Sequence, residues 1–198
     1  MQPAHEYQTI RPGLFFWQAY DPAVKTDLCC CAFQAPGGLV FSDPVPLDPA
    51  AMDELLAGGA PHAVLLTSAN HQRDALPLAR RFGVEVWAHS AARGEASATR
   101  WFEDGELLFG GVEAISLDGF APGECAFWLD GLMVLGDALL HIAPYGFSIL
   151  PDKYCADPKR GRESLKKLLR FPAEILTFAH GLPIVSQARE RLAGLLNE

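Results

Sequence analysis

Apolar residues fall into short runs separated by turn signals along the whole chain. Leu14–Trp17 and Leu28–Gln34 read as strands, the second closed by Ala35-Pro36-Gly37-Gly38, a tight hairpin turn. Leu39–Ser42 returns alongside and stops at Asp43-Pro44. Pro44, Pro46 and Pro49 lead into a predicted helix over Ala50–Ala57, which Gly58-Gly59 ends. Ala63–Thr67 is a continuous run of the kind found in strands covered on both faces. Leu76, Ala79, Arg80 and Phe82 then recur at helical spacing up to Gly83, and Val84–Ala88 forms the next strand. Proline is tolerated only in a first helical turn. Pro77 therefore sets the helix start near Arg73 or Asp74, and residues 68–73 are a loop.

The second half repeats the pattern. Glu106–Phe109, Val112–Leu117, Ala126–Leu129 and Met133–Leu135 read as strands, with Asp130-Gly131 a hairpin turn between the last two. A long irregular segment, Asp137–Pro158, precedes a helix over Gly161–Arg170, a strand over Ile175–Ala179 and a closing helix over Ser186–Leu196. Many short strands with helices at the middle and the end indicate an α+β sandwich of two mixed sheets. With 198 residues, 49% of them hydrophobic, the chain suits a single domain over 1–198 with a sizeable core.

Charge narrows the functional classes. A net charge of −8 argues against a nucleic-acid groove, which needs clustered cations. Lys159, Arg160, Arg162, Lys166 and Lys167 do gather, as the solvated face of one helix. No segment has the roughly 20 apolar residues of a membrane span, and MQPAHEYQ lacks the basic and apolar regions of an export signal. The expectation is a cytoplasmic protein with no nucleic-acid or membrane partner, with a small-molecule ligand and a homo-oligomer both left open. Five cysteines without a CxxC pair, three of them consecutive at Cys29–Cys31, read as small core hydrophobes.

Six short stretches carry more information. Leu39–Asp43 is a hairpin strand ending in aspartate before a helix, and Thr67 ends a strand. Val86-Trp87-Ala88-His89 is the following strand, and Gly119–Gly123 a mid-chain loop. Leu135-Gly136-Asp137 and Ala179-His180-Gly181-Leu182-Pro183 are strand ends. In this order, over nearly the whole chain, they resemble the metallo-β-lactamase fold superfamily, which includes glyoxalase II-like hydrolases. The resemblance implies a four-layer αββα sandwich with its site at one edge, between the sheets. It also implies two metals, usually zinc, held by a Thr-His-x-His-x-Asp-His loop, a mid-chain histidine, a bridging aspartate and a final histidine. Imidazoles and carboxylates bind Zn²⁺ tightly and leave a coordinated water acidic.

This sequence departs from that ligand pattern. Aligned without gaps from Thr67, the four loop ligands fall on Ser68, Asn70, Gln72 and Arg73, the last a permanent cation. A gapped alignment puts Asn70-His71 on the family's Asp-His pair and rescues one ligand. Phe120 stands where the mid-chain imidazole belongs. Asp137 and His180 match. The expectation is thus a relative that has lost the dinuclear zinc site and binds a small molecule or serves structurally, with no cofactor favoured. The alternative is a divergent ester or thioester hydrolase with one Zn, Fe or Mn ion on His71, Asp137 and His180, helped by Asp74. That reading requires these side chains to lie within about 8 Å of one another, since each donor sits ~2 Å from the ion. A third reading is a metal-free enzyme using Asp137 and His180 as acid and base and Arg73 as anion holder. Arg73 is expected to pair with Asp137, a side-chain charge standing in for a metal charge.

Asn70, Asp74, Glu124 and Tyr145 complete the candidate binding set. Asp74 also reads as the cap of the helix that Pro77 positions, and Glu124 as a loop residue beside the site. Tyr145 lies in Ile142–Asp157, a segment that reads equally as a lid or as a connection. His141 lies in the same irregular region, which in this fold can line the cleft. His89 reads as structural, His62 and His5 as surface residues. A triad through Ser68 lacks the Gly-x-Ser-x-Gly elbow that would aim the nucleophile.

Overall fold

The computed structural model describes residues 1–197. Strands β1 (Gln8–Arg11), β2 (Leu14–Asp21), β3 (Thr26–Ala35), β4 (Gly38–Ser42), β5 (Pro61–Leu65), β6 (Glu85–His89) and β7 (Arg100–Phe102) form one sheet in chain order. Its first four strands are antiparallel and the remaining pairings parallel. The change of direction follows from the connections: a two-residue Pro36-Gly37 reversal joins β3 to β4, whereas helices α1 (Pro49–Leu56) and α2 (Ala75–Phe82) carry the chain back for β5 and β6. Strands β8 (Leu107–Leu108), β9 (Val112–Ser116), β10 (Cys125–Leu129) and β11 (Leu132–Leu135) begin a second sheet. A separate hairpin follows, β12 (Leu139–Ile142) with β13 (Gly146–Ile149), then helix α3 (Pro158–Leu165). Strand β14 (Ile175–Phe178) completes the second sheet in the order β14-β11-β10-β9-β8, and helix α4 (Ala188–Asn197) closes the chain.

Three apolar clusters separate four layers. Trp17, Phe41, Val64 and Leu66 on one face of the first sheet pack on Met52 and Leu55 of α1 and Leu78 of α2. The opposite face meets the second sheet through Phe33, Val40, Leu65 and Phe102 against Val112, Phe127 and Val134. The outer face of the second sheet, with Met133, Leu135 and Leu176, is covered by Leu165 of α3 and Leu192 of α4. This is the αββα sandwich. The cysteines behave as expected of core residues: all five are unpaired, and Cys29, Cys30, Cys31 and Cys125 are buried.

Some element boundaries differ from the sequence reading. Asp137–Pro158 is not irregular, because its short β12–β13 hairpin pairs Leu139 with Ile149 through Ile142 with Gly146. Proline and glycine at the hairpin tip, and half-buried residues on both faces, hide the alternation that marks a strand. The helix expected over Gly161–Arg170 starts earlier, because Asp157 accepts the Arg160 N–H at 3.0 Å and Pro158 fits a first turn. Beyond Leu165 it tightens into a 3₁₀ turn, Lys166–Arg170. Strands β1 and β7 are too short to announce themselves. On the basic helix, Arg160 pairs with Asp118, Lys166 with Glu163 and Lys167 with Asp104, so the cluster is largely neutralised locally.

One side chain ties the two sheets at the edge where β3 begins and β4 and β14 end. The Arg73 guanidinium donates to the carbonyls of Cys29 (2.6 Å) and Asp43 (3.2 Å) in the first sheet's edge and of Ala179 (3.2 Å) after β14. Arg73→Met leaves these carbonyls without that donor and should cost roughly 2–4 kcal/mol in chemical denaturation, with Arg73→Lys recovering only part of it.

Candidate metal centre

The site forms where β4, β5, β11 and β14 end. Asp43 follows β4 directly with a left-handed backbone (φ 47°), and its carboxylate turns back to take two donors from Thr67. The Thr67 N–H reaches Oδ1 at 2.9 Å and the hydroxyl reaches Oδ2 at 2.5 Å. Ser68 then caps a 3₁₀ turn over Ala69–His71 by accepting the Asn70 N–H, which swings His71 back beneath Thr67. Its Nδ1 lies 2.8 Å from Thr67 Oγ1 and 3.1 Å from Asp43 Oδ2. Both oxygens are acceptors toward the ring, because the threonine proton is committed to Asp43. Nδ1 therefore carries a proton.

The other nitrogen of His71, Nε2, lies 3.2 Å from Asp137 Oδ1. His180 Nε2 approaches the same oxygen at 3.3 Å, while its Nδ1 faces the Asp27 carbonyl at 3.3 Å. One donor atom from each of His71, Asp137 and His180 falls within 4.8 Å of the others. The three residues that the single-metal reading needs together are together. Asp74 is outside this group.

Charge at these groups follows from burial and neighbours. Burial opposes charge on the His71 ring, but Asp43 and Asp137 outweigh it and push its pKa up to about 10. Burial works the same way on Asp137, yet His71, His180 and Arg73 hold its carboxyl well below the usual carboxylate range. Burial pushes His180 down, with Arg73 and His71 adding to the effect against Asp137. Glu124, 2% exposed, is pushed up to about 8, first by burial and then by Asp137. Its Oε1 accepts the Ala138 N–H at 3.0 Å, and its Oε2 has no partner among the described residues.

The remaining candidates divide clearly. Arg73 does not pair with Asp137, because its guanidinium is occupied by the three carbonyls; it acts on the site as a nearby charge. Asp74 stands at the start of α2, but its side chain makes no capping hydrogen bond. Asn70 is exposed, and Tyr145, 83% exposed at the β12–β13 tip, is not brought to the triad. Gln72 spans the loop, donating to the carbonyls of Ala69 and Glu95 and accepting the Ser97 N–H. Phe120 is a core residue against Gly161. The sequence reading did not single out Asp43 and Thr67 as site residues. Their signal was present in a strand ending at Asp-Pro and a buried run ending in threonine. Beside His180 opens a groove of about 490 Å³, bordered by Gln18, Thr26, Asp27, Ile142, Pro144 and Leu182, so the β12–β13 hairpin does line a cleft.

Whether a metal fits is decided by the protons at His180. A neutral ring has one N–H, yet both of its nitrogens face acceptors, Asp27 O and Asp137 Oδ1. Either tautomer leaves two lone pairs opposed. With Nδ1 donating to Asp27, and with an ion taking the place of the second His71 proton, Nε2 of His180, Nε2 of His71 and Asp137 Oδ1 converge as lone pairs. Zinc with ligands at about 2.0–2.2 Å in tetrahedral array sets donors about 3.4 Å apart. The two separations from Asp137 Oδ1, 3.2 and 3.3 Å, match, and the two imidazole nitrogens lie within 4.8 Å of each other. Asp137 Oδ1 is buried without a hydrogen-bond partner of good geometry among the described residues. The donor set fits one ion.

Comparison with known proteins agrees with this architecture. The family description "Metallo-beta-lactamase superfamily" matches residues 7–197. No curated protein matches the chain in sequence. Among solved structures, the DIM-1 metallo-beta-lactamase superposes with a TM-score of 0.74 at 13% identity, covering 98% of each chain. A metallo-beta-lactamase from Pontibacter korlensis gives 0.70 at 15% identity, covering 98% of this chain and 99% of its own. A metallo-beta-lactamase family protein from Thermus thermophilus gives 0.66 at 19% identity, covering 96% and 80%. With its αββα layers, its site at the sheet edge and a family match over nearly its full length, the chain belongs to the metallo-beta-lactamase superfamily.

Proposed function

We propose that the chain has lost the dinuclear centre and holds a single divalent transition metal through His71 Nε2, Asp137 Oδ1 and His180 Nε2, as a mononuclear hydrolase of esters or thioesters. The observation that carries this reading is the proton shortage at His180, whose two acceptor partners outnumber its one proton. Three protein ligands with an open fourth position are a catalytic rather than a structural zinc shell. When bound, such an ion polarises a carbonyl and acidifies a water. The chain's own residues do the rest. Asp43 and Thr67 hold the His71 tautomer, and the Asp27 carbonyl orients His180. Against a second ion stand Ser68, Gln72 and Arg73, all engaged in loop and backbone hydrogen bonds.

A second reading has its own observation. Without a metal, the Asp43 and Asp137 carboxylates are balanced by a His71 imidazolium and the Arg73 guanidinium. The centre is then a buried charge network supporting a ligand-binding or structural protein, and Arg73, its donors committed to carbonyls, is not an anion holder.

Elemental analysis of the purified chain separates the readings. About one equivalent of zinc, iron or manganese, lost in Asp137→Asn and His180→Ala together with ester or thioester turnover, is expected. Two equivalents, or none, would contradict it. Asp43→Asn should weaken metal affinity about 10–100-fold, as loss of an orienting partner does.

The pH dependence of the metal-stripped protein has a definite sign. Asp137, depressed in the fold, stabilises above the unfolded carboxylate range and loses that contribution in acid. His71, raised to about 10, stabilises fully below its unfolded value of roughly 6.5 and loses it as pH rises through 10. Glu124, raised to about 8, makes the fold progressively less stable as pH rises from roughly 4.3 toward 8. Glu124→Gln should therefore raise the thermal midpoint of the stripped protein by several degrees at pH 9 and leave it nearly unchanged at pH 4. An equal effect at both pH values would show that titration of Glu124 is not the cause.

A further inference from the structure

Ligand His180 sits on a short loop, and a loop ligand is only as well placed as whatever holds the loop. The Asp27 carbonyl faces the His180 ring and Cys29 Sγ accepts the Gly181 N–H, but three further hydrogen bonds on this loop come from a single residue, His141 of β12. The His141 N–H donates to the His180 carbonyl at 3.2 Å, and the Leu182 N–H donates to the His141 carbonyl at 3.3 Å. Its side-chain Nδ1 lies 2.7 Å from the Leu182 carbonyl, which can only accept, so Nδ1 carries the ring proton. His141 Nε2 then accepts from Arg191 Nη2 of α4 at 3.3 Å. The approach is so close that a Cβ on Gly181 (φ 104°) would collide with the His141 carbonyl. His141 thus grips the residues on both sides of Gly181, while Arg191 fixes which of its nitrogens donates.

We infer that His141 is a positioning residue for His180: through its Nδ1–H···Leu182 carbonyl bond, with Arg191 behind it, it sets the loop that presents His180 Nε2 to the ion. This rests on the single-metal reading. It assigns no contact between His141 and the metal or substrate.

The test compares the unmodified chain with His141→Ala and His141→Asn, using Co²⁺ as the probe. Affinity is read by competition with a chromophoric chelator, and ligand geometry by the visible absorption of the cobalt-loaded protein. Asparagine can place an N–H near the position of Nδ1, whereas alanine cannot. The expected result is an affinity loss of about tenfold or more in His141→Ala with an altered cobalt spectrum, and recovery of both in His141→Asn. Unchanged affinity and spectrum in His141→Ala would overturn the inference. So would equal losses in the two variants, since the ring also packs near Phe147 and Phe178. If the unmodified chain binds no cobalt, the single-metal reading falls by itself. Hydrogen exchange of the metal-free proteins then decides: His141→Ala must speed exchange at the Leu182 amide beyond any global destabilisation, and unchanged protection there refutes the hold.

Discussion

The hydroxyl proton of Thr67 is committed to Asp43 by a 2.5 Å hydrogen bond, and the rest of the site depends on that commitment. It makes the threonine oxygen an acceptor, so the His71 proton stays on Nδ1 and Nε2 turns toward Asp137. At His180 the Asp27 carbonyl does the same work from the other side. Two imidazoles held in this way are metal ligands in waiting, or one of them must take a second proton. The low effective dielectric of the sheet edge sharpens the choice, because a carboxylate as buried as Asp137 needs a cation close by. Negative charge from Asp43 and Asp137 raises the pKa of His71, while Glu124 is raised first by burial and then by Asp137.

Arg73 places a permanent cation beside this centre. Its guanidinium satisfies carbonyls from both sheets at the point where they meet, and its charge depresses the pKa of His180 and Asp137. A permanent cation that is also a clasp does not come away for an ion. The loop that would carry further ligands is likewise committed to structure, with Ser68 capping its turn and Gln72 spanning it. The residues at those loop positions thus hold the loop and clasp the sheets.

Much of this was legible in the sequence, and the parts that were not have physical reasons. Strand runs, the Pro36-Gly37 and Asp130-Gly131 reversals and the Pro77 limit on α2 are local signals, and the structure follows them. Asp137 and His180 stood at strand ends and met there. His71 joins them in the sequence only through a gapped alignment, and the 3₁₀ turn that carries it there is not visible in spacing. Arg73 was assigned to Asp137 because opposite charges were expected to pair. The backbone carbonyls of Cys29 within β3 and of Asp43 and Ala179 just past β4 and β14 take its donors instead, and such acceptors are invisible in a sequence. The β12–β13 hairpin was missed for a related reason: its residues are half-buried on both faces, so no alternation marks it.

The central claim concerns ligand number and identity around one ion, and X-ray absorption at the metal edge reads both. On protein loaded with zinc, the account predicts a shell of nitrogen and oxygen donors at about 2.0–2.2 Å, outer scattering from two imidazoles, and no metal neighbour. The His180→Ala protein should lose one imidazole from that pattern. A metal–metal vector at roughly 3.5–4 Å would restore the dinuclear centre and contradict the account. Zinc that shows no imidazole scattering would contradict it equally, by removing His71 and His180 from the ion.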